Sequence, residues 1–553
     1  MKCSIKKLML IIGLAFFLLF SCNSETESPN VEKSQGSTSK MAASLKMATA
    51  MALTCNAQAE QTDYNIYRMV SDGTRIGDVM PYYDTTTNAF YIYYLKDIWN
   101  DAINKRHPWY GFKTTDFYNY TELSSGEILS CSTNSCAQNF ALGTGNVIKS
   151  GTKFYAFYTG HNPNYPSSCV TKKEGIMLAT SSSLNSNFTP KTTFTTIYPP
   201  VGLGFDETQN FRDPYVFWDA TTSTYIMLVS ARKQDGGGNW KGVIAKYSST
   251  NLLNWTYNNI IYDGGAQNFF MMETPEIFKM GSTYYLMFSD IDSKYVYYRK
   301  SSSVNGPWSL PVGQDRLDGT GFYAAKTATD GTDRYIFAWT NILSGNTDAG
   351  TWAWGGNLAV HKIYQKSNGD LAVAIPHTLK NKMETTNYTP VQNSQWGNVN
   401  PLVGGLSYEL TSPADFDVAN IIYDPISLAR YKISATVSYS NCNKDFGFMI
   451  GACDGYENFY SLRFVPSQNR FSLDKINRSA LTTTTIAYND VPYVFAANTD
   501  YDIQIVIENS MLVVYINNEV ALTNRLYKAS NTSWGIFADN STVKFNNIKV
   551  SIP

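Results

Sequence analysis

The sequence is short of charge, of histidine and of long apolar runs, and each shortage removes a class of function. Charged residues make up 16% of the 553, against roughly 25% in an average soluble domain. The 44 basic and 45 acidic residues leave a net charge of −1. No basic stripe stands out, which excludes a nucleic-acid partner held through its phosphates. The four histidines, His107, His161, His361 and His377, show no ligand-like spacing, so neither a metal site nor a cofactor is expected. Beyond residue 21 no stretch approaches the roughly 20 apolar residues of a membrane span. What the chain has in quantity is aromatic side chains, 39 Tyr, 29 Phe and 11 Trp. They can bury enough surface to exclude disorder for most of the chain.

The one apolar run is at the start. Residues 1–22 read MKCSIKKLMLIIGLAFFLLFSC, with Lys2, Lys6 and Lys7 ahead of an apolar stretch from Leu8 to Phe20, which is the pattern of an export signal. Its ending, Leu19-Phe20-Ser21-Cys22, resembles a bacterial lipobox. That likeness implies a mature N terminus at Cys22, lipidated and holding the protein on the bacterial cell envelope, with no other membrane contact. Ordinary secretory cleavage nearby, or an uncleaved anchor, are the alternatives. Residues 23–61 are Ser-, Thr-, Ala- and Lys-rich, without strand or helix periodicity, and are expected to be a tether. Cys55, Cys131, Cys136, Cys169, Cys442 and Cys453 could form disulfides in an oxidising compartment, in a connectivity that spacing leaves open.

At about 150 residues per domain the length allows three or four units, but an internal repeat decides the organisation. An aromatic strand recurs as AFYIYYLKD (89–97), KFYAFYTGH (153–161), STYIMLVSA (223–231), STYYLMFSD (282–290) and DRYIFAWTN (333–341). Each follows a turn rich in Gly, Thr, Asn or Asp, and most of those turns follow another apolar strand, which makes hairpins. Further strands follow, as in GVIAKYSSTNLLNWTY. Four strands every 50–70 residues or so make a propeller blade. The fold is therefore predicted as all-β: a five-bladed β-propeller over residues 62–377, followed by a C-terminal β-sandwich over 378–553. Within the latter, 378–400 reads as a polar, strand-poor connection, and alternating strands such as ARYKISATVSYS and YDIQIVIENSMLVVYINNEVAL follow.

Innermost propeller strands converge on a central channel, and three of them open with an acid: Asp78 in RIGDVMPYYD, Asp213 in NFRDPYVFWD and Glu273 in FMMETPEIFK. Equivalent offsets within the blades would place all three at one end of the channel. Paired carboxylates are what glycosidic cleavage needs, one attacking or activating water and one protonating the leaving oxygen. Their environments must hold one ionised and the other protonated. A third acid can strengthen hydrogen bonds to sugar hydroxyls as positive charge develops. A carbohydrate is thus the expected partner. His107, Trp109, Trp240, Trp255 and Trp354 are candidates to line the pocket, because sugars stack on aromatic rings.

Together these segments resemble glycoside hydrolase family 32, the β-fructosidases. Phe211-Arg212-Asp213-Pro214 matches that family's Arg-Asp-Pro motif, and Glu273-Thr274-Pro275-Glu276 stands where it has Glu-Cys-Pro-Asp. Gly143-Thr144-Gly145-Asn146-Val147 is similar to its substrate-binding Ser-Gly-Ser stretch, Phe322-Tyr323-Ala324-Ala325 to its Phe-Tyr-Ala segment, and residues 513–527 to a strand pair of its sandwich. The resemblance implies Asp78 as nucleophile, Glu273 as general acid/base and Asp213 as transition-state stabiliser. It adds Arg212, His107, Trp109, Gly145, Asn146 and Tyr323 as substrate-binding residues. It implies retention of configuration, with the Asp78 and Glu273 carboxyls about 5–5.5 Å apart. The departure is the first motif, where the family's Trp-Met-Asn-Asp-Pro-Asn-Gly is replaced by Arg75-Ile76-Gly77-Asp78-Val79-Met80-Pro81. Two other readings compete. One is an inverting enzyme like family 43, with a wider carboxylate gap. The other is a surface glycan-binding lipoprotein without catalysis.

Overall fold

The five aromatic stretches become the second strands of five antiparallel units, and the stacking of those units explains their composition. The computed structural model describes residues 63–97, 106–124, 126–453, 458–484, 488–527 and 532–553. The expected signal, tether and Cys22 lie outside the described residues. Blade I comprises Ile76–Asp84, Ala89–Lys96, Trp109–Thr114 and Tyr120–Glu122. Blade II comprises Ala141–Ser150, Lys153–His161, Glu174–Ser181 and Thr189–Pro190. Blade III comprises Phe211–Asp219, Thr224–Gln234, Trp240–Ser249 and Thr256–Tyr262. Blade IV comprises Met272–Met280, Thr283–Asp290 and Val296–Ser301, and blade V comprises Tyr323–Thr329, Arg334–Asn341, Gly356–Gln365 and Leu371–Ala374. In blade IV the fourth edge is reduced to two isolated bridges, Lys300 with Ser309 and Tyr297 with Arg316.

A second strand has a neighbouring blade against each face. Ala89 through Leu95 are accordingly buried without alternation, as in any sheet covered on both sides. The hairpin turns carry their own caps. Asp84 accepts from the backbone N–H of Thr86 and Thr87, both at 3.2 Å, and Asp219 from that of Thr221 at 3.0 Å, which is the Asx-turn chemistry of such sequences. The second strand of blade III continues to Gln234, past the apolar stretch that ends at Ala231. Arg232, Lys233 and Gln234 stay in register with Gly242, Lys241 and Trp240, and their polarity hides this extension in the sequence.

Blade V pairs in the ladder with blade I at one position, Ile76 with Gly356, their facing sides share an apolar core, and the segment before blade I further secures the ring. Tyr64, Ile66, Tyr67 and Met69 pack into the core of blades IV and V, and Leu358 donates its N–H to Arg68 O at 2.8 Å. The second β unit grips the same segment. Glu508, fully buried, accepts from the backbone N–H of Asn65, Ile66 and Tyr67 at 2.7, 2.9 and 2.8 Å.

That second unit begins after the helix His377–Met383. Two long strands, Arg430–Cys453 and Ser533–Ile552, pair with each other. The first changes its other partner along its length, from Tyr501–Glu508 to Asn458–Val465. Both halves close over one core, which contains Ile433, Phe448, Leu462, Ile505, Trp534 and Phe545. The stretch 378–400, expected to be strand-poor, instead holds Thr386–Tyr388, Gln392–Trp396 and Asn398–Pro401. These edge strands are mostly exposed, so they carry no apolar face for a sequence reading to detect. Cys136 and Cys169 form a disulfide, while Cys131 and Cys442 are free thiols.

Candidate active site

All five innermost strands enter the channel from the same rim, and each is broken near that rim by a β-bulge. In blade I the extra residue is Asp78, between the Gly77–Leu95 and Val79–Tyr94 pairs. In blade II it is Gly143-Thr144. In blades III, IV and V it is Asp213-Pro214, Thr274-Pro275 and Ala324-Ala325. Proline belongs at such positions because a bulge needs no ladder hydrogen bond there. The leading residues Asp213, Thr274 and Ala324 share a left-handed backbone, with φ of 59°, 49° and 56°. A bulge re-aims the side chains beside it, and here it turns them into the channel mouth.

The blade equivalence corrects one expectation. Asp213 and Glu273 do not hold matching offsets: Thr274 occupies the place of Asp213, and Glu273 that of Arg212. The positions before the bulge in blades III, IV and V are therefore Arg212, Glu273 and Tyr323, and they bond to one another. Glu273 Oε1 accepts from Arg212 Nη2 at 2.6 Å and from Nε at 3.1 Å, while Oε2 accepts from the Tyr323 hydroxyl. Glu273 thus sits in a fork of two donors, its side chain 15% exposed to the mouth.

Asp78 Oδ1 accepts from Trp339 Nε1 at 2.9 Å, and Oδ2 accepts from the Thr144 hydroxyl. Asp213 Oδ2 accepts from the Thr274 N–H at 3.0 Å, and its own N–H donates to Thr159 Oγ1 at 2.9 Å. The three acids lie within each other's field. Burial raises the pKa of Asp78 and the charge on Glu273 adds to it, with the Thr144 and Trp339 bonds opposing. Asp213 is pushed up to about 7 by burial, against the pull of Arg212, with Glu273 and Asp78 adding their repulsion. Three crowded carboxylates of this kind share protons rather than ionise independently.

Arg212 has a second tether that no motif signals. Glu174, on the third strand of blade II and buried, faces Arg212 Nη1 at 3.3 Å and accepts the Phe211 N–H at 2.8 Å. Burial disfavours its charge, but Arg212 and His161 outweigh burial and hold its carboxyl well below the usual range. A lone acid at the head of an outer strand has no sequence pattern to find it by.

Several residues expected to touch substrate serve the walls instead. Trp109 is fully buried and donates its indole N–H to Gly143 O at 3.1 Å, so it braces the blade II bulge. Both ends of the Asn146 amide are used on Val216, Nδ2 donating to its O at 2.8 Å and Oδ1 accepting its N–H at 2.9 Å. This ties blade II to blade III. Gly145 is required by space, since a Cβ there would lie 1.8 Å from Phe157 O. Of that stretch it is Thr144 that reaches an acid. Trp255 packs edge-on against Phe157 at 5.5 Å, whereas Trp240 is 39% exposed. His107 is stacked on Trp354, with centroids 4.2 Å apart, and is pushed down to about 3 by burial and by His161, so it stays neutral. Trp354 lies over Gly77, where a Cβ would come within 1.7 Å of the indole. An aromatic ring from blade V thereby fills the place next to Asp78. Trp352, partly exposed, continues this wall, with Lys294 Nζ 4.3 Å from its ring.

A five-bladed propeller with a carboxylate trio at one mouth and a sandwich behind it is the class that fold and site define. Comparison with known proteins gives the family. Residues 80–372 match the glycosyl hydrolases family 32 N-terminal domain, and residues 369–550 match the GH32, BT1760-like, C-terminal domain. The chain belongs to glycoside hydrolase family 32. It is similar to sucrose-6-phosphate hydrolase of Escherichia coli, 30% identical over 187 residues, covering 31% of this chain and 37% of that protein. It is also similar to raffinose invertase of the same organism, at 29% with the same coverage. The matched stretch spans little more than a third of these curated relatives. Among solved structures, sucrose-6-phosphate hydrolase from Lactobacillus gasseri superposes with a TM-score of 0.65 at 17% identity, over 94% of this chain and 97% of that one. Fructan 1-exohydrolase IIa from Cichorium intybus gives 0.64 at 14%, over 90% and 98%.

Proposed function

We propose that this protein is a retaining β-fructosidase that cleaves fructose-containing oligo- or polysaccharides at the surface of a bacterial cell. The observation that carries the reading is the meeting of Asp78, Asp213 and Glu273 at one mouth, each held by different donors. Asp78, fixed by two neutral donors, is the nucleophile that attacks the anomeric carbon. Glu273 protonates the leaving oxygen and then takes the proton of the attacking water. Arg212 and Tyr323 orient the Glu273 carboxyl through both steps. Asp213, locked by the Thr274 N–H, faces the ring hydroxyls and strengthens its bonds to them as the oxocarbenium-like state develops. The names of the relatives, sucrose-6-phosphate hydrolase and raffinose invertase, support a fructoside substrate. The Trp354 ring beside Asp78 supports a pocket wall of its own kind for this chain.

The test is turnover of sucrose, raffinose, inulin and levan by the purified protein, with the first anomer released read by NMR. Fructose released with retained configuration is expected. Glu273→Gln should lower kcat by about 10²–10⁴-fold on these substrates, and Asp78→Asn should abolish the glycosyl-enzyme. Inversion would move the reading to family-43-like chemistry. Binding without turnover, unchanged in Asp78→Asn, would make the protein a glycan binder. Envelope anchoring rests on residues 1–22, and the Cys136–Cys169 bridge suits an oxidising compartment. Metabolic labelling with a fatty acid should mark the protein and fail to mark Cys22→Ser.

A further inference from the structure

Under the acid trio lies a buried lysine whose ammonium has no hydrogen-bond partner among the described residues. Lys326 follows the Ala324-Ala325 bulge on the innermost strand of blade V and is 1% exposed. Its Nζ finds no hydrogen-bond acceptor among the described residues. It lies 5.2 Å from the ring centroid of Tyr215, which follows the Asp213-Pro214 bulge on blade III. The side chain therefore crosses the channel beneath the mouth. An ammonium is expensive to bury unless it is paired and hydrogen-bonded, so packing alone does not account for it.

The carboxylates within its electrostatic reach are Glu276, Asp213 and Asp78. Glu276 is already satisfied, by the Thr327 N–H at 2.8 Å, the Thr327 hydroxyl and Arg334 at 3.9 Å. Of the other cations near the mouth, Arg212 directs its bonds to Glu273 and Glu174, and Lys294 lies over the rings of Tyr323 and Trp352. Asp78 has only the neutral donors Thr144 and Trp339, and it faces the charges of Glu273 and Asp213 and the hydroxyl of Tyr323. Its ionised form therefore lacks a bonded cation.

We propose that Lys326 is a positioning residue for the reaction: from beneath the mouth, its ammonium supplies the positive potential that keeps Asp78 ionised among the neighbouring acids. The inference rests on the reading of Asp78 as nucleophile. Burial holds the Lys326 ammonium below the ordinary lysine range, and Glu276, Asp213 and Asp78 only partly offset that pull.

The measurement is the pH at which Asp78 ionises, followed by the infrared carboxyl band that the full-length protein shows and Asp78→Asn lacks. It is made in the wild type, Lys326→Met, Lys326→Gln and Lys326→Arg, each checked for folding by near-UV circular dichroism. Loss of the charge should raise the midpoint by about one pH unit or more in whichever of the Met and Gln variants folds, and Lys326→Arg should return it toward the wild-type value. The acid limb of kcat/KM on a turned-over fructoside should move up by the same interval. An unmoved midpoint in a folded neutral variant overturns the proposal, as does an Arg variant that behaves like Met. Absence of turnover in the wild type would defeat the fructosidase reading, yet the infrared midpoint would still decide the role of Lys326.

Discussion

Arg212 is the residue on which the mouth turns, because it touches two carboxylates of opposite duty. Glu273 faces the channel, where the proposed reaction uses it as acid and base, whereas Glu174 is buried and held ionised by Arg212 and His161. The second pairing fixes the guanidinium plane, which lets Arg212 aim at Glu273 without swinging. Removing one member of a buried pair costs about 3 kcal/mol or more, because the survivor is left under-compensated. Glu174→Gln should therefore lower unfolding stability by that amount near neutrality and reduce kcat/KM more than KM alone explains. The sign of the pH dependence follows from the direction of the shift. A carboxyl held below its ordinary value of 4.5 contributes stability that is fully present above that value and lost as pH falls toward the folded pKa. The stability gap between wild type and Glu174→Gln should thus narrow below about pH 4.5, and a gap constant to pH 3 would contradict the pairing.

At the scale of the strand, the recurring device is the bulge near the rim. It spends backbone comfort to turn side chains inward. A β-branched residue at positive φ is an outlier, and left-handed backbone costs L-residues about 1–2 kcal/mol. Thr274, at φ 49°, bears that strain so that its N–H can meet Asp213. Thr274→Gly should relieve the strain and offset the lost hydroxyl contact to Ser289 at 3.3 Å. Its denaturation midpoint should stay close to that of the wild type. Thr340→Gly, on the second strand of blade V and equally buried, should lower the midpoint clearly, since glycine there only loses packing and gains chain entropy. Equal losses in both would argue against strain at the bulge. These bulges also explain which residues were legible. Asp-Pro and Thr-Pro at strand starts advertise a break in pairing. By contrast the one-residue difference between Asp213 and Glu273 depends on which blade partner each strand meets, and no spacing within one strand reveals it.

For the molecule as a whole, propeller and sandwich are welded through a common core rather than tethered. Phe278, Tyr285 and Ile336 of the blades share a cluster with Val506, Met511 and Val513 of the sandwich. At the same contact His361 bridges Asp318 at 2.9 Å and Tyr515 at 2.8 Å, and Glu508 holds the segment that closes the ring. Calorimetry of the full chain should accordingly show one unfolding transition for both β units, since neither retains its buried face without the other. Two well-separated transitions would show that the shared core is energetically minor. By this account the sandwich buttresses blades IV and V, the blades that carry Glu273, Tyr323 and Lys326.

Periodicity, turn chemistry and the acid-bearing strand starts were readable in one dimension because they are local: a hairpin or an Asp-Pro bulge is dictated by residues within a few positions of each other. They sufficed for the five-bladed propeller, the following sandwich and the choice of three acids that the fold gathers within each other's field. The assignment of work within the mouth was not local. Trp109, Gly145 and Asn146 proved to be wall residues, while Thr144 and Glu174 of blade II and Lys326 and Trp339 of blade V reach the site from separate strands. Their roles arise only when the ring closes, because burial and the fields of distant charges, rather than any neighbour in sequence, decide which proton each carboxylate keeps.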